Sequence, residues 1–463
     1  MQPTDRTYDT DRSQDTDRTD KMERKIKYKE TSITWMPQIP AHWEILRIKN
    51  LFQEVDERSE TGDEELLSVS QYTGVTLKRE NLENEHDHLT HAASLIGYKK
   101  VNAGNLIINI MGAWNGRLGI SLYDGITSPS YCVYRIKGNN NPFYFGYLFR
   151  TNLFISAFIK NSTGIGTGYL RLYTDKFFGI YSFVPPKDEQ DLIVRYIKVK
   201  DAKIDRFIQK KQRVIELLKE QRQCIISKSF FTWEGTNRQK KSNNIDWVRS
   251  AIKRLVKIKI TDGPHESPVF SEEGIPFVSA EASCDGKIDL TKKRCNISVE
   301  RHKEYCLKAK PQKGDLLMVK SGSTTGKIAI VDFDEEFSIW SPLALIRPNE
   351  LVSNVYLFYF LCSEYFQEQV KKNWSFGTQP NIGMGKIEQL KIFYPEAISE
   401  QHQIVSRIKA ETAVIDIAIT KAEKEIALVK EYKEAMILEA VTGKIVYLQK
   451  NNQTMQTLDT SYR

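Results

Sequence analysis

Two long stretches of the chain repeat apolar residues at spacings that return to one helical face. In the first they are Ile193, Ile197, Ile204, Ile208, Ile215, Leu218 and Ile225. In the second they are Ile404, Ile408, Ile415, Ile419, Ile426, Val429 and Met436. Spacings of three, four and seven make a coiled-coil-like seam. Charged residues fill the other faces, and no Gly or Pro interrupts Asp188 to Phe231 or Ala397 to Thr442. Each stretch therefore predicts one unbroken helix of about 40 residues, roughly 60 Å long.

Elsewhere the pattern is that of short strands and shorter helices. LIINI, LGISLY and YCVYRI predict strands, as do DLLMV, KIAIV and LALIR later in the chain. PFYFGYLFRTNLFISAFI and NVYLFYFLCSEYFQEQV predict amphipathic helices in corresponding places. The correspondence is a repeat. The segment from Glu189 matches that from Glu400 at a constant offset of 211, including Gln190/Gln401, Asp205/Asp416 and Glu220/Glu431. Upstream, Gly104, Gly112 and Gly116 fall on Gly314, Gly322 and Gly326, and Trp43 falls on Trp247. Each half reads as one globular segment followed by one long helix. The fold class is α/β (mixed α+β) with a pseudo-twofold internal repeat, the helices packing on each other and a head near each end. The expected order is a polar tail over 1–32, a head over 33–187, a helix over 188–232 and a linker over 233–246. A second head over 247–396, a second helix over 397–446 and a tail over 447–463 follow. Thr-Asp-Arg recurs at 4–6, 10–12 and 16–18, which suggests disorder there and makes Met22 an alternative start.

Composition narrows the class. The balance of 40% hydrophobic and 27% charged residues is that of a globular chain. No stretch approaches the roughly 20 apolar residues of a membrane span. The opening MQPTDRTYDTDRSQ has no signal-peptide core, so the expected location is cytoplasmic, with no membrane partner. The net charge of +8 suits a polyanionic partner without requiring one. The six cysteines are scattered. Cys284, Cys295 and Cys306 are too widely spaced for paired zinc ligands, even with His302 nearby, and read as ordinary cysteines.

Catalytic motifs are tested and set aside. A DNA amino-methyltransferase needs an Asn/Asp-Pro-Pro-aromatic loop. Asn141-Pro142-Phe143-Tyr144 lacks the second proline and reads as a helix start. Gly322 to Lys327 is one residue short of a P-loop, with Ile328 where Ser or Thr should bind magnesium. His86, Asp87, His88 and His91 read as a polar loop rather than a metal or nuclease centre, because the other half has nothing comparable.

TWMPQIPAHWEILRIKNLF, GDLLMVKSGSTTGK and the isoleucine helix ending KEYKEAMILEAVTGK together resemble type I restriction–modification specificity subunits, from about residue 33 to 446 in both halves. The resemblance implies two target recognition domains, each reading one half of a split site in double-stranded DNA. It implies that the two helices pack antiparallel, space the domains and dock two modification subunits. It further implies that S-adenosylmethionine belongs to the modification subunits, and ATP and magnesium to restriction subunits. This chain would then hold no cofactor, metal or catalytic residue, and would position an adenine in each half-site for flipping. A standalone DNA methyltransferase or nuclease is the rival, disfavoured by the missing loops. The Thr-Asp-Arg tract departs from the family pattern. The divergence of MGAWNGR from SGSTTGK predicts an asymmetric target.

Loops rich in hydrogen-bonding residues supply the candidate DNA contacts: 68–78 and 162–173 in the first half, 261–268 and 374–386 in the second. With the glycine loops they nominate Gln71, Tyr72, Asn115, Arg117 and Arg171, then His265, Lys320, Ser321, Ser323, Lys327, Gln379 and Asn381. Arg and Lys suit guanine or phosphate, and Asn and Gln suit adenine.

Overall fold

The computed structural model describes residues 27–78, 94–164, 169–231, 246–376 and 379–445. The expected N-terminal tail up to residue 26, the histidine cluster at 86–91, most of the linker and the C-terminal tail lie outside the described residues. The chain divides into two compact units. One contains the residues up to Ile208 together with those from Ala427, and the other runs from Gln209 to Ile426.

In the first unit, β1 (Glu44–Arg47) pairs antiparallel with β8 (Tyr181–Val184). A four-stranded antiparallel sheet runs in the order β2 (Phe52–Val55), β7 (Tyr131–Ile136), β5 (Leu106–Asn109), β6 (Leu118–Ile120). A hairpin of β3 (Leu67–Ser70) and β4 (Gly74–Leu77) packs beside it. β5 is buried on both faces, as an apolar run in a central strand requires. Its alternation splits the core: Leu106 and Ile108 join an aromatic cluster with Phe52, Phe145 and Phe149, while Ile107 joins Val55, Val69 and Val133.

The second unit repeats the scheme. β9 (Trp247–Ala251) pairs with β18 (Lys391–Pro395). The sheet order is β10 (Thr261–Asp262), β15 (Leu343–Ile346), β13 (Leu316–Val319), β14 (Ile328–Ile330), extended by β12 (Lys287–Ile288) and β11 (Ser283–Cys284). Again Leu316 and Met318 face one cluster, and Leu317 and Val319 the other. The strands expected from LIINI, LGISLY, YCVYRI, DLLMV, KIAIV and LALIR all form.

The two amphipathic helices expected after these sheets are each broken in two, and this corrects the sequence expectation. The first splits into α1 (Pro142–Phe149) and α2 (Asn152–Asn161), the second into α5 (Asn354–Cys362) and α6 (Glu364–Lys372). The breaks fall at Thr151 and Ser363, both extended. Their hydroxyls donate back to Leu148 O (2.7 Å) and Phe360 O (2.6 Å). A buried hydroxyl competing for backbone partners ends one helix and lets the next begin at a new angle. Asn141 caps α1, its Oδ1 accepting from Phe143 N at 3.0 Å with Pro142 in the first turn.

The long helices are α4 (Lys187–Phe231) and α8 (Ile398–Val441). Short helices α3 (Thr174–Gly179) and α7 (Met384–Gln389) lie ahead of β8 and β18. Each unit contains the start of one long helix and the end of the other. In the first unit Ile193 and Ile197 of α4, and Ala440 and Val441 of α8, enter the aromatic core. Tyr144 Oη donates to Val441 O at 3.0 Å. Gly443 follows with φ +71°, pressed so closely on Pro40 and Trp43 that a Cβ would lie 2.5 Å from Pro40 Cγ. Only glycine suits this helix end on both counts. In the second unit Ile404 and Ile408 of α8 share a core with Ile226 and Phe230 of α4. Phe230 meets Tyr356 edge-on at 5.6 Å.

The helices pair within each unit. In the first, Lys433 Nζ lies 2.6 Å from Asp201 and 3.0 Å from Asp205. In the second, Lys211 pairs with Glu425 and Arg222 with Asp416 at 2.7 Å, so numbers rise on one helix as they fall on the other: the pairing is antiparallel. Among the described residues no helix is long and apolar enough to cross a membrane.

Candidate nucleic-acid interface

In the second unit the loop between β13 and β14 carries Ser321, Gly322, Ser323 and Lys327. A hairpin of β16 (Ser375–Phe376) and β17 (Pro380–Asn381) is laid against it. Ser321 and Asn381 form an antiparallel bridge. Ile382 N donates to Lys320 O at 2.8 Å, and Gly322 N to Pro380 O at 3.0 Å. Thr325 Oγ1 hydrogen-bonds Gly322 O (2.7 Å) and Pro380 O (3.0 Å). Gly326 is forced by its surroundings: its φ is +99°, and a Cβ would lie 2.6 Å from Gln367 Oε1. These bonds gather five candidates. Ser323, Lys327, Gln379 and Asn381 are exposed and Ser321 is half-buried. Because β14 follows directly, the loop joins strand to strand; a P-loop needs a helix there.

Lys320 points the other way. Its ammonium lies 3.1 Å from Asp262, and its side chain is 12% exposed. Asp262 is fully buried and also engages Lys308 Nζ at 2.5 Å and His265 Nε2 at 3.1 Å. His265 remains exposed. Burial alone would raise the Asp262 pKa, but the hydrogen bonds from Lys308 and Lys320 outweigh it and hold the carboxyl below its usual range.

The first unit builds the same device from other side chains. Leu172 N donates to Ile110 O at 3.0 Å, and Thr163 and Arg171 exchange two backbone bonds of 2.9 and 2.8 Å. Asn115 ends a short 3-10 turn with its Oδ1 buried and without a hydrogen-bond partner among the described residues. It faces inward, whereas Arg117 and Arg171 are exposed. Gln71 and Tyr72 form the β3–β4 turn. Arg150 Nη2 holds that turn by donating to Gln71 O (2.7 Å) and Tyr72 O (2.8 Å). Burial pushes the Arg150 pKa down.

Sequence reasoning missed Asp262, Lys308 and Arg150, the residues that anchor these loops. None stands in a motif, and the partners that link them to these loops, Asp262 with Lys308 and Lys320 and Arg150 with Gln71 and Tyr72, are 46 to 79 residues apart along the chain. Among the described residues no group of three or more His, Cys, Asp or Glu is placed to hold a metal.

Residues 244–428 match the family model described as type I restriction modification DNA specificity domain. The chain is 24% identical over 438 residues to the type I restriction enzyme MjaVIII specificity subunit of Methanocaldococcus jannaschii, covering 90% of this chain and 97% of that one. It is 22% identical over 309 residues to the EcoBI specificity subunit of Escherichia coli, covering 63% and 64%. A chain solved in work on complex assembly and conformational transition of the type I R-M system shares the fold. The TM-score is 0.52, at 16% identity over 88% of this chain and 99% of that one.

Proposed function

We propose that this chain, which belongs to the type I restriction–modification specificity subunits, reads a bipartite, asymmetric site in double-stranded DNA. The observation that carries this is one loop-and-hairpin device built twice with different side chains. Ile110, Met111, Trp114, Asn115 and Arg117 in one unit answer to Lys320, Ser321, Thr324, Thr325 and Lys327 in the other. A repeated frame with divergent tips suits two readers of unlike half-sites. Residues 33–187 and 247–396 act as the target recognition domains, and 188–232 and 397–446 as the helical spacers.

The chain makes and breaks no covalent bond. It holds the duplex so that modification subunits, two per chain and bearing S-adenosylmethionine, can flip and methylate an adenine in each half-site. Restriction subunits using ATP and magnesium join the same assembly, in the cytoplasm. Apolar side chains left exposed on the long helices support docking there: Val414 and Ile417 in one unit, Leu428 and Tyr432 in the other.

A single-molecule methylome of a methylation-free host expressing this chain with its modification subunit tests the proposal. The expected result is methylated adenine in both parts of one split, non-palindromic motif, lost when either subunit is omitted. Methylation by this chain alone would overturn the non-catalytic role.

A further inference from the structure

The two copies of the reading device differ in kind as well as in sequence. Loop 320–327 presents hydroxyls and a cation. Its counterpart presents Met111 at the position of Ser321, a residue 47% exposed. Tyr72 is 82% exposed at the tip of the β3–β4 turn, whose second strand packs on the strand that follows this loop. Single exposed apolar residues are ordinary on protein surfaces. These two are on segments that converge. The turn is bound by Arg150. Its strand β4 packs on β6, where a Cβ on Gly119 would lie 3.2 Å from Val75 N. β6 begins directly after Arg117. Met111 is held at its backbone from both sides: its N–H donates to Asn109 Oδ1 (3.0 Å), and its carbonyl accepts from Trp114 Nε1 (2.9 Å).

The charge around this apolar pair selects its occupant. Arg117 and Arg171 are exposed, and no acidic residue occurs at 71–73, 110–117 or 169–173. An apolar tip between exposed cations suits a polyanion carrying an apolar group. In the major groove of DNA that group is the C5-methyl of thymine, the only methyl that the four bases present there.

We infer that the first unit recognises thymine through its C5-methyl group, with Met111 and Tyr72 closing on the methyl and Arg117 and Arg171 meeting flanking phosphates. The second unit reads by hydrogen bonds through Ser321, Ser323, Gln379 and Asn381. This rests on the DNA-reading function proposed above.

The test measures binding of the full chain to duplexes carrying its mapped target, with thymines in one half-site or the other replaced by deoxyuridine, which removes only the methyl. Substitution in one half-site should weaken binding about fourfold per contacted methyl, the effect of losing one buried carbon. Met111→Ala should abolish that difference for the same half-site, and Met111→Leu should retain it. A target bound specifically but indifferent to deoxyuridine in both half-sites would overturn the inference and leave the proposed function standing. So would a deoxyuridine effect that persists in both Met111→Ala and Tyr72→Ala. Absence of specific binding to any duplex would overturn the proposed function itself, and the inference with it.

Discussion

Asp262 and Lys320 form an ion pair of 3.1 Å in which the carboxylate side chain is only 1% exposed. A lysine selected from sequence as a DNA contact is thereby turned into a support for the loop it begins. Asp262→Asn leaves Lys320 short of a counter-charge in a buried setting. Breaking a buried pair costs roughly 3–5 kcal/mol, and half-exposed Lys308 moderates this to about 2–3 kcal/mol. The carboxyl pKa is held below its ordinary value of 3.8. A depressed folded pKa stabilises above the unfolded value and ceases to as pH falls through the folded one. The stability gap between parent and variant, from denaturant unfolding, should therefore hold from pH 7 to about pH 5 and shrink only below about pH 4. Lys320→Ala should likewise lower stability as well as DNA affinity.

Gln190 and Gln401 offer a second test. Gln190 Oε1 accepts from Asn141 N (2.7 Å), and its Nε2 donates to Pro185 O (2.8 Å). Gln401 Oε1 accepts from Ser353 N (2.8 Å), and its Nε2 donates to Pro395 O (2.8 Å). Each buried amide thus ties the start of a long helix to the loop before α1 or α5 and to the end of β8 or β18. Truncation to alanine leaves one buried carbonyl and one half-buried N–H unpaired at each site, at about 2–3 kcal/mol per site. The two sites share no partner, so the double variant should show the sum to within about 0.5 kcal/mol in urea unfolding.

Those glutamines mark where sequence was legible and where it was not. Their repetition at a constant offset is visible by inspection. Their role is not, because the atoms they bind belong to residues up to 50 positions away. The strands and long helices were legible because periods of two and about three and a half are local signals. The breaks at Thr151 and Ser363 were not, since apolar residues resume within two positions of both and the competing bond is made by one hydroxyl. The closure of the first core by Val441 and Gly443 joins residues some 300 to 400 positions from Tyr144 and Trp43, and no local pattern reports it. The candidate loops were found because they break periodicity. The inward turn of Lys320 and Asn115 was hidden, because polar residue type does not reveal direction.

Arg117 and Lys327 occupy equivalent, exposed positions at the ends of the two glycine loops. Their predicted role is phosphate contact, which carries no sequence information. Arg117→Ala or Lys327→Ala should weaken binding to all duplexes alike and reduce the slope of log affinity against log salt by about 1. Gln379→Ala should leave that slope unchanged and cost about 1–3 kcal/mol on a single base pair of the target. Salt titrations on cognate and singly altered duplexes separate the two behaviours. Equal losses in all of these variants would mean that the hairpin serves only to position the backbone.

Val414 and Ile417 lie on one face of α8 and are 73% and 69% exposed, although Ile415 between them is buried. A helix whose seam is already covered has no packing reason to keep this second apolar face uncovered. The modification-subunit docking proposed above would supply one. Val414→Asp with Ile417→Asp should alter the stability of the isolated chain by no more than about 0.5 kcal/mol per site, since neither side chain is buried. DNA binding by the isolated chain should also be unchanged, because the loops proposed to read DNA are elsewhere in the chain. Association with the modification subunit should fall at least tenfold, the effect of burying two charges in an apolar contact, and methylation in cells should fall with it. Unchanged association would place the modification subunits away from this face of α8, and loss of DNA binding by the isolated chain would show that the face supports the reading unit itself.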